Sequence, residues 1–186
     1  MSLLSDPPFA LGQTLGVSSA TDGGNWVGVI KHFPDVNPTT GEIRSNRLKT
    51  CVAVRNTSGA ALLPKRVVRF DLTASGASLF EEVKGYVAVA GEDFVGVVDE
   101  HLPAGGVAAN DVFWVTVKGP TEVAVALSGT DVALGDKLAC VTAASAGATT
   151  AGRVSGTTAT AGVIGRACGT GATTGAAVLA VVDTVY

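Results

Sequence analysis

The sequence predicts an all-β fold, a compact antiparallel β-barrel or β-sandwich with an extended N-terminal arm. Short apolar runs rich in β-branched residues recur along the chain, Gly and Pro separate them, and no helical window interrupts them. With 186 residues, of which 47% are hydrophobic and 16% charged, the chain can bury the core of one domain. We expect an arm over residues 1–45 and a β domain over residues 46–186.

The centre of the chain, residues 84–127, shows this pattern most clearly. Glycine supplies positive φ angles in turns, and proline fixes φ and stops strand pairing. The region therefore predicts four strands, at 86–90, 94–98, 112–117 and 123–127, with the last turn at Gly119-Pro120. Residues 48–55 and 66–72 are predicted to form a hairpin, and further strands are expected at 137–141, 163–167 and 177–182.

Two segments have an unusual composition. Residues 143–160 are almost entirely Ala, Gly, Ser and Thr, which suits a surface loop or a strand of small side chains packed against another chain. Residues 1–45 are divided by Pro and Gly, yet they contain spaced apolar side chains. Such an extended segment usually lies on its own domain or on a neighbour. The predicted arm is therefore expected to bind something.

The net charge of −3 and the pI near 5.3 argue against nucleic-acid binding, which needs a concentrated basic face. The charges are nevertheless segregated. Residues 31–70 contain eight basic residues against two acidic ones, and residues 71–136 contain eleven acidic residues against two lysines. This arrangement suits contact between copies or between arm and body, unless both sets are simply solvated.

Three widely spaced cysteines, Cys51, Cys140 and Cys168, form no CxxC pair and lie in apolar runs, where a reduced cysteine behaves as a small hydrophobe. The N-terminus lacks the basic and apolar regions of a secretory signal. No run approaches the ~18 apolar residues that a membrane span requires. We therefore expect synthesis in a cytoplasm and no membrane partner.

One short cluster could carry chemistry. Asp99, Glu100 and His101 together suggest a metal or acid–base site, but consecutive residues at a strand end point in different directions, so we expect a solvated loop. The glycines between residues 162 and 175 miss the GxGxxG spacing and precede a β-type run. No GxSxG motif is present. The sequence therefore predicts no enzyme and no catalytic, cofactor-binding or metal-ligating residue.

Several segments resemble head decoration (cement) proteins of tailed bacteriophages. They are VRNTSGAALLP at 54–64, VVRFD at 67–71, FVGVVD at 94–99 and VFWVTVKGP at 112–120, continued by LGDKL at 134–138 and VIGRA at 163–167. The resemblance covers roughly residues 50–182. It implies a small β-barrel or β-sandwich without catalytic residues, which oligomerises on the outside of an icosahedral head.

By this resemblance, the expected function is a structural virion protein that decorates and stabilises the capsid by bridging neighbouring major capsid subunits. It would be made in the host cytoplasm, reside on the outer capsid surface and form a homo-oligomer, with a trimer favoured over a dimer. The alternative is a carbohydrate-binding or adhesin-like β module, although aromatics are only 5% of residues. The candidate capsid-binding residues, in the arm and the basic segment, are Phe9, Leu11, Trp26, Phe33, Arg44, Arg47 and Lys49.

Overall fold

The structure is a computed structural model that describes residues 9–16, 26–73, 80–87, 94–126, 131–141, 152–157 and 162–184. These residues form ten β-strands in one sheet and include no helix, which confirms the all-β prediction. No helix in this part of the chain could therefore cross a membrane. The strands are β1 (Ile30–Val36), β2 (Ile43–Asn56), β3 (Val67–Phe70), β4 (Glu82–Tyr86), β5 (Val95–Val98), β6 (Val112–Ala124), β7 (Lys137–Cys140), β8 (Val154–Thr157), β9 (Val163–Ala167) and β10 (Ala177–Asp183).

The strand pairings produce two rings that share the long strand β6. In the first ring, β2 pairs in parallel with β4, and the antiparallel pairs β4–β3, β3–β5, β5–β6 and β6–β2 complete the circle. In the second ring, β6 is followed by β10, β9, β7 and β8. A single parallel bridge between Val125 and Val154 returns β8 to the end of β6. The fold is thus barrel-like, as predicted.

Side-chain alternation along β2 and β6 separates two apolar clusters of the first ring. Val52, Val54, Phe113 and Val115 belong to the cluster inside the ring. The intervening residues pack outside it against the N-terminal segment, which we define as residues 9–16. This outer cluster contains Phe9, Leu11, Phe33, Cys51, Ala53, Val112 and Trp114. The core of the second ring is a third cluster, rich in Val and Ala.

The turn predicted at Gly119-Pro120 is wrong, because β6 continues through both residues. Gly119 has a φ of +105°, and a Cβ there would lie 2.6 Å from the carbonyl oxygen of Leu48. Glycine therefore permits a bend inside the strand at a point where the backbone of β2 approaches closely. Beyond this bend β6 stops pairing with β2 and pairs only with β10, so one strand serves both rings.

The predicted hairpin of residues 48–55 and 66–72 is also wrong, because β4 lies between β2 and β3. Arg55 pairs with Glu82 in the parallel ladder that separates them. A strand is predicted at 86–90, but β4 spans Glu82–Tyr86 and so ends where the predicted strand begins. Residues 88–90 lie outside the described part. The small-residue tract contains one strand, β8, while residues 142–151 and 158–160 are likewise not described.

The division of the chain at residue 45 does not coincide with a break in the sheet. Strand β2 begins at Ile43 and runs through this position to Asn56. Strand β1, within the predicted arm, pairs with β2 from Ile30 to Val36. Residues 1–8 and 17–25 of the arm lie outside the described residues. Its described part is continuous with the β domain.

Candidate functional site

Five charged side chains meet beside the first ring. Asp35 comes from β1, Arg44 and Lys49 from β2, and Asp99 and Glu100 from the loop that follows β5. We call them the buried charge cluster, since every member except Arg44 is buried and the Arg44 side chain is only 26% exposed. The strands β1 and β2 form a hairpin, so this cluster connects that hairpin to the ring.

Glu100 is the central acceptor of the cluster. Its carboxylate receives hydrogen bonds from Lys49 Nζ at 2.5 Å and from Arg44 Nη1 and Nη2 at 2.8 Å each. The backbone N–H of Glu122 in β6 also donates to it, at 2.9 Å. Glu100 therefore ties β2 to both the loop after β5 and the strand shared by the two rings.

Asp35 completes the arrangement from the opposite side of the guanidinium group. Arg44 donates to it from Nε at 3.0 Å and from Nη2 at 2.6 Å, and Ser45 Oγ donates at 2.7 Å. Arg44 thus forms paired hydrogen bonds with two carboxylates at once, which suits the fixed fork of its N–H groups. This geometry fixes the register of the hairpin at its far end, where the β1–β2 ladder becomes irregular.

The pKa shifts follow from these contacts. Burial by itself would raise the pKa of Glu100, but hydrogen bonds from Arg44 and the charge of Lys49 outweigh it and lower the pKa to about 2. The pKa of Asp35 is also lowered, because Arg44 and Ser45 outweigh its burial. Burial would lower the pKa of Arg44, yet its two carboxylate partners raise it. All three groups are therefore charged at neutral pH.

Asp99 and His101 differ from the other groups. Burial raises the pKa of Asp99, although backbone N–H groups of Gly12 and His101 donate to its carboxylate. Burial also lowers the pKa of His101, against the charges of Glu100 and Asp99. His101 Nε2 lies 3.6 Å from Glu100 Oε1 and makes no hydrogen bond. His101 is thus neutral at neutral pH.

The solvated loop expected at Asp99-Glu100-His101 is therefore wrong. Asp99 is fully buried, and Glu100 is 7% exposed. Their partners lie far away in the chain, since Lys49 and Arg44 precede Glu100 by 51 and 56 residues. In the sequence, these contacts were indicated by the separation of basic residues in 31–70 from acidic residues in 71–136. Contact between arm and body, one of the alternatives left open, is observed between Arg44 and Glu100. Within the β domain, Lys65 pairs with Glu122 at 2.6 Å.

An open cleft of about 560 Å³ lies between the tip of the β1–β2 hairpin and this cluster. It is lined entirely by polar and charged residues, namely Asp35, Asn37, Thr39, Thr40, Glu42, Arg44, Lys65, Glu100, His101 and Glu122. The described residues that line it include no Phe, Tyr or Trp on which a sugar ring could stack. The described residues contain no group of three His, Cys, Asp or Glu side chains that could hold a metal ion.

The seven candidate capsid-binding residues lie in different environments. The structure brings Phe9, Leu11 and Phe33 together, but in the outer cluster around Trp114, where each is less than 9% exposed. In this structure their side chains pack within the protein's own outer cluster. Lys49 and Arg44 belong to the buried charge cluster. Trp26 is half-buried, and Arg47 is the one candidate that is exposed.

Sequence reasoning missed a different surface of the same hairpin. Ile30, Pro34 and Leu48 are exposed and lie on one face of β1 and β2, since Pro34 pairs directly with Leu48. We call this surface the hairpin face. Ile30 is 51% and Leu48 61% exposed, and Ile43 and Arg47 are exposed beside them. Neighbouring exposed apolar side chains of this kind are often found at sites that bind another molecule.

The features described so far define an all-β protein with two strand rings and an apolar surface on a hairpin. No protein-family model and no curated protein match the chain. Among solved structures, the N base of the head fiber gp8.5 of bacteriophage phi29 is similar, with a TM-score of 0.46 and 18% sequence identity. The alignment covers 74% of this chain and 98% of that one. At this level the likeness carries no argument about function.

Proposed function

We propose that this protein is a structural component of a bacteriophage virion, which decorates the outside of an icosahedral capsid and stabilises it by bridging neighbouring major capsid subunits. The proposal begins with the resemblance to head decoration proteins. Its segments 67–71, 94–99 and 112–120 fall on β3, β5 and β6, and 54–64 starts at the end of β2. Its later segments, 134–138 and 163–167, reach β7 and β9, so the resemblance follows strands of both rings.

The hairpin face is the observation that carries the proposal. A surface that binds a large partner needs exposed apolar residues on a rigid support, because ordering a mobile surface costs binding free energy. Ile30, Pro34 and Leu48 provide the apolar residues. The buried charge cluster provides the support, since Arg44 and Lys49 of the same hairpin are held by Glu100. We assign the hairpin face to capsid binding.

The proposal includes homo-oligomerisation, with a trimer favoured by the resemblance, and no enzymatic activity. It fits the polar character of the cleft, in which the carboxylates of Asp35 and Glu100 are already neutralised by Arg44 and Lys49. A carbohydrate-binding module would need a Trp, Tyr or Phe platform near that cleft, and the described lining residues include none of these. The hairpin face supports binding to a protein surface better than it supports binding to a glycan.

The test is co-sedimentation with undecorated phage heads, comparing the wild-type protein with two leucine variants. Leu48→Glu places a charge on the hairpin face, whereas Leu134→Glu changes an equally exposed leucine, at 71%, in the turn before β7. We expect Leu48→Glu to lose most of the bound protein and Leu134→Glu to bind like the wild type. Equal binding by both variants, or retention of the wild type on glycans and not on heads, would reject the proposal.

Arg47 offers a second, smaller test of the same surface. It is exposed next to Leu48, so its charge acts mainly on the encounter with an acidic capsid surface. We expect Arg47→Ala to slow association at low salt by less than tenfold and to have no effect at ~1 M salt, where the screening length is about 3 Å. Binding kinetics on immobilised heads would measure both. A faster release with unchanged association would contradict this role.

A further inference from the structure

The N-terminal segment lies in a groove on the outer side of the first ring. The ring of Phe9 stacks on Trp114, with centroids 4.9 Å apart and planes inclined by 24°. Phe33 meets the same indole edge-on at 5.1 Å. Leu11 is also buried there, at 5% exposure. The groove therefore takes two apolar side chains from a short stretch of chain that turns at Leu11-Gly12.

Three hydrogen bonds hold the backbone of this segment. Trp114 Nε1 donates to the carbonyl oxygen of Phe9 at 3.2 Å, and the N–H of Leu15 donates to the carbonyl oxygen of Val112 at 2.9 Å. Between them, the N–H of Gly12 donates to Asp99 Oδ2 at 2.5 Å. Gly12 has a φ of +81°, which disfavours other residues. The groove thus recognises an aromatic residue, a leucine and a glycine at fixed spacing.

Asp99 indicates that this recognition is specific. Its carboxylate is fully buried and forms no ion pair within the described part of the chain. A buried carboxylate without a cation is costly unless hydrogen bonds satisfy it. Its two backbone donors are His101, close by in sequence, and Gly12, which is 87 residues away. An empty groove would leave the Asp99 carboxylate with one donor fewer.

We propose that this groove is a peptide-binding site and that, in the assembled protein, it holds the N-terminal segment of a neighbouring copy. The inference rests on the homo-oligomer of the proposed function. Residues 17–25 connect the segment to the body, and nine residues span up to roughly 30 Å, about twice the radius of gyration expected for a domain of this size. A neighbour's groove is therefore within reach. Exchange keeps every contact described above while linking the copies.

Deletion of residues 1–16 tests the proposal by light scattering and circular dichroism. We expect the full-length protein to be an oligomer and the shortened protein to be a monomer that keeps its β signal. A fluorescent peptide with the sequence of residues 9–16 should bind the shortened protein, and the same peptide with Phe9→Ala should bind at least ~100-fold more weakly. A folded shortened protein that ignores the peptide would overturn the peptide-binding site.

A full-length variant covers the case in which the shortened protein does not fold. Phe9→Ala/Leu11→Ala keeps the chain intact and removes both buried side chains, while Gln13→Ala changes an exposed residue of the same segment. We expect the double variant to dissociate and Gln13→Ala to remain assembled. If the double variant remained an oligomer, the exchange of N-terminal segments between copies would be rejected, but the proposed homo-oligomer would not. A monomeric wild-type protein at micromolar concentration would reject the proposed homo-oligomer as well.

Discussion

The two rings share a strand but are stabilised by different means. The first ring, the elements packed on it and the shared strand β6 contain every buried polar or charged side chain found in the described residues, namely Asp35, Lys49, Asn56, Arg66, Asp99, Glu100, Asp111, Thr116 and Thr121. The described residues of the second ring beyond β6 bury only apolar side chains and glycine. Buried charges and hydrogen bonds therefore help to stabilise the first ring, whereas the second ring depends on apolar packing.

The two rings also close differently, the first through strand ladders and the second through a single bridge. Ladders connect every pair of neighbouring strands in the first ring. The second ring closes through the bridge between Val125 and Val154, where the N–H of Ala126 donates to the carbonyl oxygen of Val154 at 2.8 Å. Beside it, the carbonyl oxygen of Gly152 accepts a hydrogen bond from Val67 of the first ring at 2.6 Å. Apolar packing is not directional, whereas hydrogen-bonded ion pairs require a particular geometry. The surface proposed to bind the capsid lies on the ring that has the buried ion pairs.

The largest effect should come from breaking the buried charge cluster. Glu100→Ala leaves Lys49 and Arg44 with one carboxylate fewer in a buried site, and we expect a loss of about 3–5 kcal/mol in the free energy of unfolding. Urea denaturation would measure it. The control is Asp183→Ala, which removes an ion pair with Lys118 whose side chains are 71% and 68% exposed, and should cost less than ~1 kcal/mol. Equal losses would show that burial of the cluster is unimportant.

The contact of Gly152 with the first ring should be the next most sensitive feature. Gly152 has a φ of +72°, and a Cβ there would overlap the ring of Tyr86 and lie 2.8 Å from the carbonyl oxygen of Val67. We expect Gly152→Ala to cost about 2–4 kcal/mol through overlap and backbone strain together. Gly135→Ala is the matched control, because its φ is +86° with no atom near the added Cβ, and it should cost about 1 kcal/mol. Thermal melting would compare the two.

Acid should destabilise the first ring. The pKa values of Glu100 and Asp35 are lowered in the folded protein, so their stabilisation is present above pH 4.5 and is lost as the pH falls toward 2. The pKa of His101 is also lowered, so the unfolded chain binds its proton first and stability declines below pH 6.5. Asp99 acts with the opposite sign, because its pKa is raised and its protonation favours the folded state.

The pH experiment is urea denaturation from pH 7 to pH 3, with Asp99→Asn as the comparison. We expect the free energy of unfolding of the wild type to fall steadily, because protonation of Glu100, Asp35 and His101 destabilises the fold while only protonation of Asp99 stabilises it. Asp99→Asn should lose more than the wild type over the same range, because it lacks the one group that gains on protonation. An increase of wild-type stability on acidification would show that Asp99 outweighs the cluster.

The smallest effect concerns the surface of the second ring. Lys137 on β7 pairs directly with Arg166 on β9, and neither forms an ion pair in the described part of the structure. Like charges directly opposite each other destabilise a strand pair, so Lys137→Glu should raise the free energy of unfolding by about 0.2–1 kcal/mol. Lys118→Glu, which faces Asp183, should lower it slightly. A gain that persists in ~1 M salt would not be electrostatic in origin.

Local patterns were sufficient to locate most strands. Alternation of apolar residues and the Gly or Pro between runs predicted β5, β7, β9 and β10 to within about a residue at each end. Alternation within β3 puts Val68 and Phe70 on one face and Val67 on the other, and these faces belong to different clusters. These features depend only on neighbouring residues, because a strand exposes successive side chains on opposite sides whatever it pairs with.

Strand partners and buried charges were decided by the tertiary structure. The choice of β4 as the parallel neighbour of β2, and the continuation of β6 through Gly119-Pro120, depend on backbone contacts between distant segments. Similarly, Glu100 is buried because the β1–β2 hairpin brings two cations to it. By itself the sequence determined the strands, their faces and the separation of charge. Which strands and charges meet is a long-range property, because it depends on the closure of loops of about 50 residues or more.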